Sequence, residues 1–137
     1  MDIREVQEAI IEDFSYLDDW EEKYEYIIGL GKTLPVIEES FKTDDYLIRG
    51  CQSKVWLRAS MAGGNVHFTA DSDAVITKGI ISMLIKVLDN QPAAEIAEAD
   101  LYFIDKIGLS EHLSPTRSNG LRSMITHMKS FAKHMES

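Results

Sequence analysis

Apolar residues recur at helical spacing from the start of the chain. Ile3, Val6, Ala9, Ile10 and Phe14 fall on one face of a first helix. Trp20, Tyr24, Ile27, Ile28 and Leu30 stripe a second, over residues 17–30, with Gly31 as its stop. Pro35 and the mixed run to Asp45 read as a connection, and residues 46–49 as a short strand. From Lys54 to Ala62 the period changes to two. Val55, Leu57, Ala59 and Met61 alternate with Trp56, Arg58 and Ser60, which predicts a strand. Gly63, Gly64 and Asn65 form a turn signal, because glycine adopts positive φ at no steric cost. Val66, Phe68 and Ala70 then alternate with His67 and Thr69, so the two runs pair as a hairpin.

The stretch DSDAVITKGIISMLIKVL follows, with Asp71, Ser72 or Asp73 placed to cap a helix. Ile76, Ile80, Met83, Leu84 and Val87 make its inward face, and apolar neighbours on nearly every other side predict a central helix against the sheet. Pro92 opens a shorter helix to about residue 99, and residues 101–107 another that ends at Gly108. Residues 109–120, with Pro115, read as a loop. Ser118 or Asn119 then caps a last helix from Leu121 to about residue 134, with Leu121, Met124, Ile125, Met128 and Phe131 inward. The pattern predicts an α+β fold, a small antiparallel β-sheet packed with helices, in one domain over residues 1–137.

Composition narrows the function classes. A chain of 137 residues buries roughly 70% of its unfolded surface and needs no disulfide or metal to fold. A formal net charge of −9 repels nucleic-acid phosphates and anionic membrane surfaces, so neither is an expected partner. The N-terminus is acidic and amphipathic, unlike a signal or transit peptide. The longest apolar stretch, from Ile80 to Leu88, is broken by Ser82 and Lys86 and is too short to span a bilayer. These features predict a soluble, cytoplasmic protein. A single cysteine excludes an internal disulfide and an all-cysteine zinc site, and suits a reducing compartment.

That cysteine, Cys51, lies in IRGCQSKVW. Free cysteine is commonly a buried small hydrophobe. Here it interrupts the apolar pattern, with Gly50 before it and Gln52 and Ser53 after it, and so reads as a loop cysteine. Arg49 and Lys54 beside it would favour the nucleophilic thiolate. His67, His112, His127 and His134 are the available imidazole bases, none in a protease-like local signature. His127 and His134 share a helix face but lack a third ligand, and His67 takes a polar strand position. The DSD run fails as a calcium loop, since its sixth and twelfth positions hold Ile76 and Ser82. The carboxylates of DDWEEKYEY fit the outer face of a helix, and Arg117 in SPTRSNG is either an ordinary solvated arginine or a fork for a partner carboxylate.

Four segments together, WEEKYEYIIGLGKTLP, GCQSKVW, DSDAVITKGI and HLSPTRSNGLRSMI, resemble the SufE family in the same order, over roughly Phe14 to Phe131. The resemblance implies a fold related to the scaffold protein IscU, and a sulfur acceptor that works with a cysteine desulfurase in iron–sulfur cluster assembly. It implies that Cys51 takes sulfane sulfur from the desulfurase's persulfide, stimulates that enzyme and relays the sulfur to a scaffold such as a SufB-containing complex. The pyridoxal phosphate belongs to the SufS-like desulfurase, and no cofactor or metal is expected on this chain. By the family pattern Gly50, Gln52 and Ser53 frame the loop, Asp71 and Asp73 sit near it, and Arg117, Asn119 and Gly120 close over the same face. The resting thiol is expected in an apolar pocket walled by Ile48, Val55, Trp56 and Met83. The chain would be a carrier and activator and not a stand-alone enzyme. The alternatives are a non-catalytic interaction domain with an inert cysteine, or a thiol enzyme pairing Cys51 with His67 or His112.

Overall fold

In a computed structural model, which describes residues 2–136, the chain opens with α1 (Ile3–Ser15). Asp2 accepts the Glu5 N–H at 2.7 Å while the Glu5 carboxylate takes the Asp2 N–H, so two orphan donors are satisfied reciprocally. Beside Val6, Ile10 and Phe14 the helix buries one amide, Gln7. It is paid for in full: Nε2 donates to the Asp100 carbonyl, and Oε1 accepts the Phe103 N–H, both at 3.2 Å. α2 (Trp20–Leu30) starts at the first residue of the apolar stripe, three residues later than the expected span of 17–30, because Asp19 takes the cap and accepts the Glu22 N–H at 2.9 Å. Gly31 ends it as expected.

The strand expected at residues 46–49 does not form. Asp44–Tyr46 is a 3₁₀ turn, and only Leu47 makes a bridge, to Trp56. The segment nonetheless covers the outer face of the hairpin: Lys42 lies 5.7 Å over the Trp56 ring and Arg58 sits 4.3 Å over Phe41.

The hairpin pairs β1 (Val55–Ala62) with β2 (Asn65–Ser72) in antiparallel register, Val55 opposite Ser72 and Ala62 opposite Asn65. Gly63 and Gly64 have φ of 61° and 86°, the left-handed pair a two-residue hairpin turn needs. The predicted alternation holds: Val55, Leu57, Val66, Phe68 and Ala70 are buried on one face, and only Met61 emerges at the tip.

That face meets α3 (Val75–Leu88), which is buried nearly all round. Its expected caps are misplaced, because β2 runs on through Ser72. Ala74 is the N-cap residue and makes no side-chain cap, although Ser72 Oγ accepts the Ala74 N–H at 3.2 Å. Gly79 lets α3 cross α2 backbone to backbone: a Cβ there would lie 2.2 Å from the Ile27 carbonyl oxygen. After α3 the Asp89 carboxylate accepts the Phe68 N–H at 2.7 Å and faces His67 Nδ1 at 3.0 Å.

A third strand, β3 (Gln91–Pro92), pairs with β2 and was not signalled by periodicity, being two residues long. α4 (Ala93–Glu98) and α5 (Phe103–Lys106) follow, both shorter than expected. Residues 109–120 are not a loop. They hold α6 (Leu109–His112) and the first turns of α7 (Pro115–Glu136). Ser114, not Ser118 or Asn119, caps α7: its hydroxyl accepts the Arg117 N–H at 3.3 Å and its carbonyl the Ser118 N–H at 2.9 Å. Pro115 occupies the first helical position, where its missing N–H costs nothing.

Candidate functional site

The Cys51 loop is tied at both ends. Ile48 donates its N–H to the Val55 carbonyl at 2.8 Å. Lys54 donates its N–H to Asp73 Oδ1 at 3.0 Å, and Asp73 returns its own N–H to the Lys54 carbonyl at 3.3 Å. Between the ties Gly50 turns at φ 95°, and a Cβ there would lie 2.4 Å from Ser123 Oγ. The positive φ favours glycine, and a side chain would in addition push the Ser123 hydroxyl aside. The turn aims Cys51 at α7, where its Sγ donates to the Gly120 carbonyl at 3.6 Å. A Cβ on Gly120 would stand 3.4 Å from that sulfur. Two glycines, one in the loop and one in the helix, let the thiol lie against the helix backbone.

The sulfur borders a cavity of about 80 Å³ lined by Ile80 and Met124, by the hydroxyl residues Ser53, Thr77 and Thr116, and by Gln52, Arg117 and Gly120. A single water needs roughly 10–15 Å³, so there is room beyond the thiol itself. Of the four expected wall residues none lines this cavity. Val55 and Met83 are turned into the core, Trp56 is on the opposite face under Lys42, and Ile48 lines a second depression. That second space, about 350 Å³, adjoins the other side of the loop and includes Asp44, Leu47, Arg49 and Lys54.

Burial pushes the Cys51 thiol up from its ordinary pKa. This corrects the expectation that Arg49 and Lys54 favour the thiolate: both are exposed, and desolvation dominates. At rest the thiol faces the Gly120 carbonyl, and its burial works against the nucleophilic thiolate.

Gly50, Cys51, Gln52, Ser53, Arg117 and Gly120 come together around one sulfur. Asp73 stands one hydrogen bond away through Lys54. Asp71 and Asn119 line neither depression. Asp71 is a buried fastener: burial pushes its carboxyl up, but bonds from Lys42 (2.5 Å), the Ser72 N–H (2.8 Å) and Lys78 (3.3 Å) outweigh that and hold it below the usual range. Asn119 is exposed and accepts from Arg122. Neither candidate base reaches the thiol cavity. His67 is held by Asp89, and the His112 ring sits 3.9 Å from that of Trp20. Among the described residues no group of three or more histidine, cysteine or acidic side chains is placed to hold a metal, and no helix is long and apolar enough to cross a membrane.

Thr77, Ile80, Thr116, Ser123 and Met124 were not singled out for the site. Thr77 and Ile80 are spaced i, i+3 on α3. Arg117, Gly120 and Met124 are spaced i, i+3, i+7 on α7, a stripe that becomes visible once α7 starts at Pro115.

Comparison with known proteins places this geometry. A family model described as "SufE: Fe-S metabolism associated domain" matches residues 8–132. An uncharacterized SufE-like protein of Rhizobium etli is 44% identical over 131 residues, covering 92% of this chain and 88% of that protein. A second, from Rhizobium meliloti, is 42% identical and covers 92% and 94%. A SufE-like protein 1 of Arabidopsis thaliana, named as chloroplastic/mitochondrial, is 38% identical over 94% of this chain but only 35% of its own length. The solution structure of a hypothetical protein from Thermus thermophilus superposes with a TM-score of 0.79 at 18% identity, covering 96% of this chain and 97% of that one.

Proposed function

The chain belongs to the SufE family, a domain associated with Fe–S metabolism, and on that premise we propose that it accepts sulfur from a cysteine desulfurase on Cys51 and passes it to iron–sulfur cluster assembly. The observation that carries this reading is the seat of Cys51. A lone thiol at the tip of a glycine turn rests beside a cavity with room for a further atom.

The transfer is an exchange of one S–S bond for another. The Cys51 thiol gives up its proton and attacks the terminal sulfur of the donor Cys–S–SH. The Cys51–sulfur bond forms as the donor's S–S bond breaks, and the donor thiolate takes up the proton. No electron is gained or lost overall. With one cysteine in the chain, no second thiol can expel the bound sulfur as an internal disulfide. The hydroxyls of Ser53, Thr77 and Thr116 and the guanidinium of Arg117 are the polar groups that would meet the added sulfur. The ledge of Ile80 and Met124 would keep water and oxidants from it.

Gly50, Gln52 and Ser53 then frame the reacting group. Arg117 and Gly120 form the helix side of the partner contact, with Asn119 at its edge, and Asp73 holds the loop base. Asp71 ties the end of β2 to Lys42 and to Lys78 of α3. The partner is a SufS-like desulfurase carrying its own pyridoxal phosphate, the recipient a SufB-containing scaffold, and the compartment the cytoplasm.

The test is intact mass after incubation with a pyridoxal-phosphate-loaded cysteine desulfurase and cysteine. The expected result is a gain of one or more sulfur atoms that maps to Cys51 and is removed by reductant. The Cys51→Ser variant should stay folded and gain nothing. A sulfur gain retained in that variant would overturn the assignment.

A further inference from the structure

We infer that Thr77 is the fixed hydrogen-bond donor that holds the outer sulfur of a loaded Cys51 in its cavity. The inference rests on the reading of Cys51 as sulfur acceptor and adds to it the group that retains the cargo. Among the polar residues that line the cavity, Thr77 is the buried one, at 8% exposure; Gln52, Thr116 and Arg117 are exposed, and Ser53 is partly so. Its hydroxyl has no hydrogen-bond partner among the described residues. Nor is it sealed in, because every side-chain nitrogen or oxygen there that is cut off from solvent has a partner. The free hydroxyl of a nearly buried residue thus opens into the cavity that the residue lines.

Helix geometry explains why it is free. A helical Ser or Thr commonly bonds the carbonyl four residues back, as Ser82 does on Lys78 at 2.7 Å. Four residues before Thr77 stands Asp73, ahead of the N-cap residue Ala74 and tied to Lys54, so no helical carbonyl is offered. Buried polar groups are nearly always paired, and an exception calls for a reason. Here the reason is a partner that arrives with the sulfur.

The resting thiol uses the Gly120 carbonyl and not Thr77. Loading adds a second sulfur, which ionised is an acceptor with no donor of its own. The cavity of about 80 Å³ receives it between Ile80 of α3 and Met124 of α7. Of the charged groups that line this space, α7 supplies Arg117, α3 none, and the loop none besides the persulfide itself. Arg117 is exposed and its charge is screened by water. Thr77 is on the central helix and outside the moving loop. It makes and breaks no covalent bond: its O–H donates and the proton stays on oxygen. Donation favours the persulfide anion over the protonated form. A thiolate attacks the protonated form more readily, since two anions repel. The held sulfur is therefore parked against stray thiols.

The test loads the protein with inorganic polysulfide and removes the excess. The persulfide anion is followed by its near-ultraviolet absorbance against pH, and by intact mass during exposure to a small neutral thiol. In that release the thiolate attacks the outer sulfur and the S–S bond to Cys51 breaks. The outer sulfur leaves with its proton as the small thiol's persulfide, and Cys51 returns as thiolate. Thr77→Val keeps the shape and removes the donor. Its titration midpoint should rise by about one pH unit, and its release rate near neutral pH by about 3- to 10-fold. Thr77→Ser should keep the wild-type values. Thr116→Val, an exposed donor at the same cavity, should shift the midpoint less. Unloaded Thr77→Val should be no less stable than wild type in urea, because the hydroxyl has no partner to lose.

A wild-type midpoint and release rate in Thr77→Val overturn the inference. So does a loss of hold in Thr77→Ser, an equal shift in Thr116→Val, or a destabilised unloaded Thr77→Val. Chemical loading separates this inference from the acceptor reading. Expected shifts on polysulfide-loaded protein, with no sulfur delivered by any desulfurase, keep Thr77 and refute the desulfurase as source. A wild-type Cys51 that takes no sulfur even from polysulfide overturns both.

Discussion

Replacing Gly50 with alanine should unseat the cysteine without unfolding the protein. An L-residue at φ 95° sits outside the regions its Cβ tolerates, at a cost on the order of 1–3 kcal/mol. The same Cβ lies 2.4 Å from Ser123 Oγ, so that hydroxyl must rotate away. Both penalties vanish if the loop lifts off α7. The loop is at the surface and makes one bond to the helix through sulfur, so lifting is the cheap response. At about 1.4 kcal/mol per factor of ten, the lifted population rises roughly 10- to 100-fold.

The assay is the pseudo-first-order alkylation rate of Cys51 in the free protein near neutral pH, with a urea melt alongside. Alkylation should accelerate by that factor while the melt shifts little. Adding Ser123→Ala should recover part of the change, since it removes the clash but leaves the backbone strain. Gly63→Ala is the control: it carries φ 61° with nothing within 4 Å, so it costs turn energy and leaves the alkylation rate alone. Equal alkylation of Gly50→Ala and wild type would refute the seated-thiol argument.

Three further outcomes follow from the same contacts. Gly79→Ala gains about 1 kcal/mol of helix propensity, yet its Cβ meets the Ile27 carbonyl, which is backbone and cannot swing aside; the net should be a loss of about 1–3 kcal/mol in urea unfolding, and a stabilised variant would contradict the α2–α3 crossing. Asp71 is held below its ordinary carboxylate pKa of about 3.9. Its contribution to stability is therefore complete above that value and disappears as pH falls through the depressed one; Asp71→Asn should lose stability at neutral pH and flatten the acid limb of a urea-midpoint profile, and parallel limbs would deny the shift. For the thiol the sign is reversed. Burial raises Cys51, so the alkylation rate should titrate above about 8.5, and seating of the neutral sulfur is lost as pH climbs through the raised value; a midpoint at or below 8.5 would contradict the burial argument.

How far the sequence reached depends on which physics each element uses. Val55, Leu57, Val66 and Phe68 announce their strands because one face is buried, and Gly63 with Gly64 announces the turn because only that pair tolerates it. Cys51 was legible as a loop cysteine because it breaks the alternation. The start of α7 was lost by taking Pro115 as a loop mark, when after Ser114 it stands at the first helical position. That one boundary hid the stripe of Arg117, Gly120 and Met124. Charges near Cys51 misled for a different reason: Arg49 and Lys54 are close in sequence, but their side chains are out in water while the sulfur is turned inward. The close approaches at Gly50, Gly79 and Gly120 leave no periodic trace, since each depends on a helix or loop brought in from elsewhere in the chain.

The partner of the Cys51 sulfur lies 69 residues later in the chain. A polypeptide made from its N-terminus therefore exposes the hairpin and α3 before α7 exists to receive the thiol. Until α7 is made, Cys51 has neither the Gly120 carbonyl nor the side of its cavity formed by Thr116, Arg117 and Met124. The nascent chain carries its thiol uncovered, and shielding arrives only when the loop closes on a helix made 69 residues later, a long-range contact whose loop entropy must be met first. Newly made chains and chains cut before α7 should thus be the population most open to oxidation, while the finished fold guards the same atom with its last helix.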